Sequence, residues 1–228
     1  APGSKASIDV ISAILNAVAL GGLVLGAESL AREGLVAGLG KLAVAAVAGA
    51  LLIHREFPRP TPLVPLDLLR IPIFGLSICT SLATFSAQMM AFVALPFFFQ
   101  GVLGRSAVQT GLLITAWPVA VGLAAPIAGR LSDRYPAGLL GGVGLTVFAV
   151  GLGALSQIQA GTPDMVIIAA MAVCGAGFGF FGSPNNRAMV SSAPRNRSGA
   201  AGGVLATARL LGQTGGALAT AVFFHFAG

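Results

Sequence analysis

Pro126-Ile127-Ala128-Gly129-Arg130-Leu131-Ser132-Asp133-Arg134-Tyr135 places a charged, glycine-led turn directly between two apolar runs, Gly111–Ala128 and Leu139–Leu155. Crossing the hydrocarbon core takes about 17–25 predominantly apolar residues at roughly 1.5 Å of rise each. Each run meets that length, so the turn reads as a short loop joining two spanning helices. Working outward, five more runs appear: Ile8–Ala27, Leu35–Ile53, Ile73–Phe99, Met165–Gly182 and Gly199–Phe226. They are long and continuous, without the short alternation of a transmembrane barrel. The expectation is an all-α, polytopic membrane helical bundle with about seven transmembrane helices.

Composition agrees. Hydrophobic residues make up 56% and charged residues 9% of the 228, so lipid and not water must be the main solvent. The 32 glycines let helix backbones approach closely where water cannot drive association. The net charge of +6 comes from Lys and Arg residues spread singly along the chain, which argues against nucleic acid as a partner. Cys79 and Cys174 sit inside apolar runs with no CxxC spacing, and they indicate no metal or redox centre. The first residue is Ala1 and Ala1–Ser7 does not form a signal peptide, so the chain reads as a fragment or a processed chain.

Loop charges set an expected orientation. With Ala1–Ser7 in the cytoplasm, Lys5, Arg55, Arg59, Arg70, Arg130, Arg134, Arg187, Arg195 and Arg197 fall on that side, against Arg32, Lys41 and Arg105 outside. That asymmetry follows the positive-inside rule. The segment around Pro58, Pro60, Pro62 and Pro65 reads as an extended cytoplasmic linker, residues 55–71, separating a helix pair (1–54) from a five-helix block (72–228).

In the loop Gly129–Tyr135, Gly129 permits close packing, and Asp133 can accept from an Arg or a neighbouring helix N-terminus. Arg130 and Arg134 can pair across a turn too short to relax. Such a cluster suits a gate that latches two helix ends in one conformation. The segment resembles the signature loop of the major facilitator superfamily, of the form G-x-L-a-D-R followed by basic residues; Pro136, Ala137 and Gly138 stand where further basic residues are common. More of the chain resembles the fourteen-helix drug:proton antiporters of that superfamily: Pro65-Leu66-Asp67-Leu68-Leu69-Arg70, Leu95-Pro96-Phe97-Phe98-Phe99-Gln100, Val102-Leu103-Gly104-Arg105-Ser106 with Thr110-Gly111-Leu112, and Ala200–Gly216. The resemblance implies helices seven to thirteen of fourteen, in a bacterial inner membrane. Residues 1–54 would be an inserted pair and 72–228 five helices of the C-terminal half. It further implies multidrug efflux by proton antiport with alternating access, and a missing N-terminal half as partner.

Arg209 is the costliest residue to place, because it lies about 16 Å along its helix from Ser198 in a core roughly 30 Å thick. A charge there costs at least about 2.5 kcal/mol and must face the bundle interior or water. Gln213 lies one turn on, along the same face. Phe85, Gln88, Met89 and Phe92, with Ser81, combine an amide with adaptable apolar surface suited to large amphipathic or cationic compounds, and Trp117-Pro118 adds an aromatic wall and a kink. These residues form the expected substrate cavity.

Gly177-x-Gly179-x-x-Gly182 fits a dinucleotide fingerprint, but no strand precedes it, so close helix packing is the better reading. His54 and His225 have no metal-ligand spacing, and no catalytic constellation appears; neither enzyme activity nor a cofactor is expected. All seven acids, Asp9, Glu28, Glu33, Glu56, Asp67, Asp133 and Asp164, fall at span ends or in loops. A proton-coupling carboxylate, normally intramembrane, is then expected in the missing half. A related exporter of a specific metabolite (amino acid, lipid or siderophore) and a non-transporting membrane scaffold are the alternative readings.

Overall fold

The computed structural model describes residues 9–32, 34–56, 68, 70–194 and 197–227. Lys5, Arg59, Arg195 and most of the expected linker over 55–71 lie outside these residues. Among the described residues seven helices follow one another: α1 (Val10–Arg32), α2 (Leu35–Glu56), α3 (Pro72–Gly101), α4 (Ala107–Leu131), α5 (Ala137–Leu155), α6 (Asp164–Ser192) and α7 (Ser198–Ala227). Among the described residues, α2 to α6 are long and apolar enough to cross a membrane. The apolar part of α1, Val10–Gly26, is shorter. Arg209 and Gln213 lower the hydropathy of α7.

The chain divides into two compact units, Ala1–Asp67 and Leu68–Gly228. In the first, α1 and α2 form a hairpin. It turns at Gly34, whose φ of +99° is a conformation that only glycine adopts without strain. A Cβ at Gly26 would lie 2.8 Å from the Leu42 side chain, so the two backbones meet where glycine leaves room. Arg55 reaches Asp9 at 3.6 Å, and the Lys41 ammonium donates to the Ser29 hydroxyl.

In the second unit, Pro72 opens α3 at a position where its missing N–H costs nothing. Ser106 and Gln109 cap α4 reciprocally: the Ser106 hydroxyl accepts from the Gln109 N–H at 3.2 Å, and the Gln109 side chain accepts from the Ser106 N–H at 3.0 Å. Packing follows an exchange pattern, with α6 lying along both α4 and α5 while α7 lies along α3. One core gathers Phe99, Leu113, Trp117, Phe148, Ile167 and Met171, and a second gathers Phe74, Ile78, Met189 and Ala208. Outward faces are apolar too: Leu76, Leu112, Leu123 and Met165 are each more than 65% exposed, as expected of helices solvated by lipid.

Glycines set the seams. Cβ atoms at Gly175 and Gly179 would strike the backbone carbonyls of Trp117 and Val121 on α4, and one at Gly177 would strike the backbone of Phe148 on α5. Gly144 and Gly151 of α5 reciprocate against Phe181 and Cys174. Gly182 differs, since a Cβ there meets nothing within 4 Å.

The apolar run Met165–Gly182 marks the core of the sixth span, and α6 continues beyond it through Pro184 to Ser192. Pro184 is buried and lacks only one backbone donor, while the adjacent Ser183 hydroxyl donates to the Ala125 carbonyl at 3.0 Å. Tertiary contact therefore carries the helix past a residue that reads as a breaker.

Candidate functional site

The central charged residue comes to rest against an aromatic ring. Gly212 and Gly216 bring α7 onto α3, where a Cβ at Gly212 would stand 2.8 Å from the Leu82 carbonyl oxygen, and the Ser86 hydroxyl donates to the Gly212 carbonyl at 2.9 Å. This close seam sets Arg209 beside Phe85, with the guanidinium carbon 4.9 Å from the ring centroid. That is cation–π distance. Phe85 is buried and Arg209 exposed on the surface of the unit.

From Phe85 the rings pass contact to one another. Phe85 meets Phe178 edge-on at 5.3 Å, Phe178 meets Phe148 at 5.9 Å, Phe148 meets Trp117 at 5.6 Å, and Trp117 meets Phe92 at 5.0 Å. The succession leaves α3, crosses α6, α5 and α4, and returns to α3. Trp117 is 1% exposed, and its indole N–H has no hydrogen-bond partner among the described residues. Gln88, Met89, Phe92 and Gln213 are half-buried. The structure thus links Arg209, Phe85, Phe92 and Trp117 through Phe178 and Phe148, which the sequence reading did not single out.

A buried polar link lies one turn below Phe85 on α3. The Asn185 amide of α6 donates to the Ser81 hydroxyl at 2.8 Å and to the Ser77 carbonyl at 3.4 Å. Ser81 is completely buried. Asn185 also lines a cavity of about 720 Å³ bounded by α3, α5 and α6, together with Leu76, Thr80, Gly141 and Phe181. A second cavity of about 450 Å³ sits towards the other end of α3 and α5, beside Leu95, Phe98 and Leu155. Arg209 lines neither.

At the α4–α5 turn, Asp133 forms an ion pair with Arg187 of α6. Arg130 and Arg134 are exposed and have no ion pair among the described residues. A side chain at Gly129 would meet nothing within 4 Å, so close packing does not require glycine there. At the opposite end of α4, Arg105 reaches Asp164, the first residue of α6, at 2.5 Å. The two ion pairs join α4 and α6, which run in the same direction, at both ends. Among the described residues, no group of three or more His, Cys, Asp or Glu side chains is placed to hold a metal ion.

Comparison with known proteins adds a family. A family model described as Major Facilitator Superfamily matches residues 8–217. The chain is 50% identical over 223 residues to the uncharacterised transporter YebQ of Escherichia coli (strain K12), covering 97% of this chain and 49% of that protein. It is 30% identical over 176 residues to the riboflavin transporter RibZ of Clostridioides difficile (strain 630), covering 77% of this chain and 38% of that one. It is also 30% identical over 167 residues to the lincomycin resistance protein LmrB of Listeria monocytogenes, covering 72% and 36%. The chain therefore spans about half the length, or less, of these curated relatives.

Proposed function

The chain belongs to the major facilitator superfamily, and from that premise we propose that it forms part of a bacterial inner-membrane secondary transporter exporting drugs or other lipophilic small molecules by proton antiport. The observation that carries this reading is Arg209 set against Phe85 near the middle of the membrane-length helix α7. A cation at that depth is costly in lipid and has a use where a cavity brings solute to it. Likeness to a protein named for lincomycin resistance supports drug efflux as the class.

In this reading α3 and α7, with Phe85, Gln88, Met89, Phe92, Arg209 and Gln213, form one wall of a central cavity, and the aromatic succession behind them holds that wall rigid. The Asp133–Arg187 pair acts as a cytoplasmic latch between the α4–α5 turn and α6, made in one access state and broken in the other. The N-terminus of the chain is cytoplasmic. The coupling carboxylate belongs to another part of the polypeptide, since the two acids of Leu68–Gly228, Asp133 and Asp164, both lie at helix ends.

A substrate panel tests the class. Everted membrane vesicles bearing the full-length protein are expected to accumulate several chemically unrelated lipophilic compounds. Accumulation of a single metabolite alone would make it a specific exporter, and no flux of any solute would reduce it to a scaffold.

A further inference from the structure

The surroundings of Arg209 narrow the chemistry of what the wall receives. A guanidinium is always charged, carries five N–H donors and accepts nothing. Phe85 offers it a π face but no carboxylate. The unit Leu68–Gly228 contains two acids, and both are engaged elsewhere: Asp133 with Arg187 and Asp164 with Arg105. Among the described residues, Arg209 has no ion pair and no hydrogen bond. It is exposed while its neighbour Phe85 is buried, so it lies at the surface of the unit.

A fixed positive charge in a low-dielectric setting favours anions and repels cations at short range. On α3, one and two turns beyond Phe85, stand half-buried Met89 and Phe92, polarisable and flat surfaces. We infer that the α3–α7 wall accepts planar aromatic anions, with the substrate's negative group docking on the Arg209 N–H donors and its ring on the Phe92 and Met89 surface. This rests on the reading of the chain as part of an exporter and narrows it. Lipophilic cations, which the amphipathic helix-three surface alone would suit, are disfavoured at this wall.

The test uses two dyes that share a xanthene ring system and differ in charge: fluorescein, an anion, and rhodamine 123, a cation. Their binding to the purified full-length protein is measured by fluorescence polarisation. Fluorescein is expected to bind about tenfold tighter. Arg209→Lys is expected to keep that order and Arg209→Gln to bring the two affinities within about twofold. Equal affinities in the wild type, tighter rhodamine binding, or an unchanged ratio in Arg209→Gln overturns the inference. If Arg209→Gln does not fold, the wild-type ratio and its retention in Arg209→Lys decide. Flux of the same dyes in proteoliposomes separates this from the transport reading. Preferential fluorescein binding without flux of either dye supports the charge inference and defeats transport; rhodamine flux without fluorescein flux does the reverse.

Discussion

Arg209 of α7 lies with its guanidinium carbon 4.9 Å from the centre of the Phe85 ring of α3, so a charged group midway along α7 is held by an aromatic face on the neighbouring helix. The contact needs the Gly212 and Gly216 seam, because a side chain at either position would push α7 away from Leu82 and Ser86. Cation–π energies run from about 0.5 kcal/mol when exposed to about 2 kcal/mol when desolvated. Arg209→Ala is therefore expected to reduce efflux by the full-length protein tenfold or more while membrane abundance stays within about twofold. Parallel efflux assays and quantitative blotting check this; an equal fall in both would make Arg209 a structural anchor.

Asp133 and Arg187 are both exposed, which limits what their ion pair adds to stability to about 1 kcal/mol or less. Its expected effect is on conformational exchange. Asp133→Asn should slow turnover several-fold with substrate affinity nearly unchanged, and the charge swap Asp133→Arg with Arg187→Asp should restore part of the loss. Wild-type turnover in Asp133→Asn would reject the latch.

Two neighbouring glycines of α6 should behave oppositely. Gly177→Val drives a side chain into the Phe148 backbone, which overpacks a helix seam that cannot part, and is expected to abolish properly folded protein in the membrane. Gly182→Ala meets open space and is expected to leave abundance unchanged. Size-exclusion profiles of fluorescently tagged variants read both.

The Asn185–Ser81 hydrogen bond, buried between α6 and α3, is expected to contribute about 0.5–1.5 kcal/mol. Asn185→Ala and Ser81→Ala should each lower thermal stability, and the double variant should cost less than their sum. Strict additivity would show that the two side chains act separately.

Much of the fold was legible because apolar run length is a local property. All seven helices lie where such runs stand, and of Gly177, Gly179 and Gly182, expected to serve helix packing, the first two form seams on α5 and α4 while a Cβ at Gly182 would meet nothing within 4 Å. What could not be read depends on partners remote in sequence. Pro184 lies beyond the apolar run Met165–Gly182, and only its burial and the Ser183–Ala125 contact show why α6 continues through it to Ser192. Asp133 could have met a helix N-terminus or an arginine, and nothing local distinguishes its actual partner, Arg187 of α6, from Arg130 or Arg134 in its own turn. Phe148 and Phe178 looked like ordinary apolar positions, and they join the ring succession only because α5 and α6 meet at glycine. Arg209 was conspicuous in sequence for its cost in lipid, whereas its lack of a carboxylate partner within Leu68–Gly228 emerges only once Asp133 and Asp164 are seen to be engaged.

Proton-driven export is tested most directly by reconstituting the full-length protein into liposomes loaded with a transported aromatic dye and imposing a pH gradient of either sign. The account predicts that dye movement, corrected for protein-free liposomes, follows the direction of the gradient and collapses when a protonophore dissipates it. Dye movement of the same rate and direction with and without the gradient would contradict it.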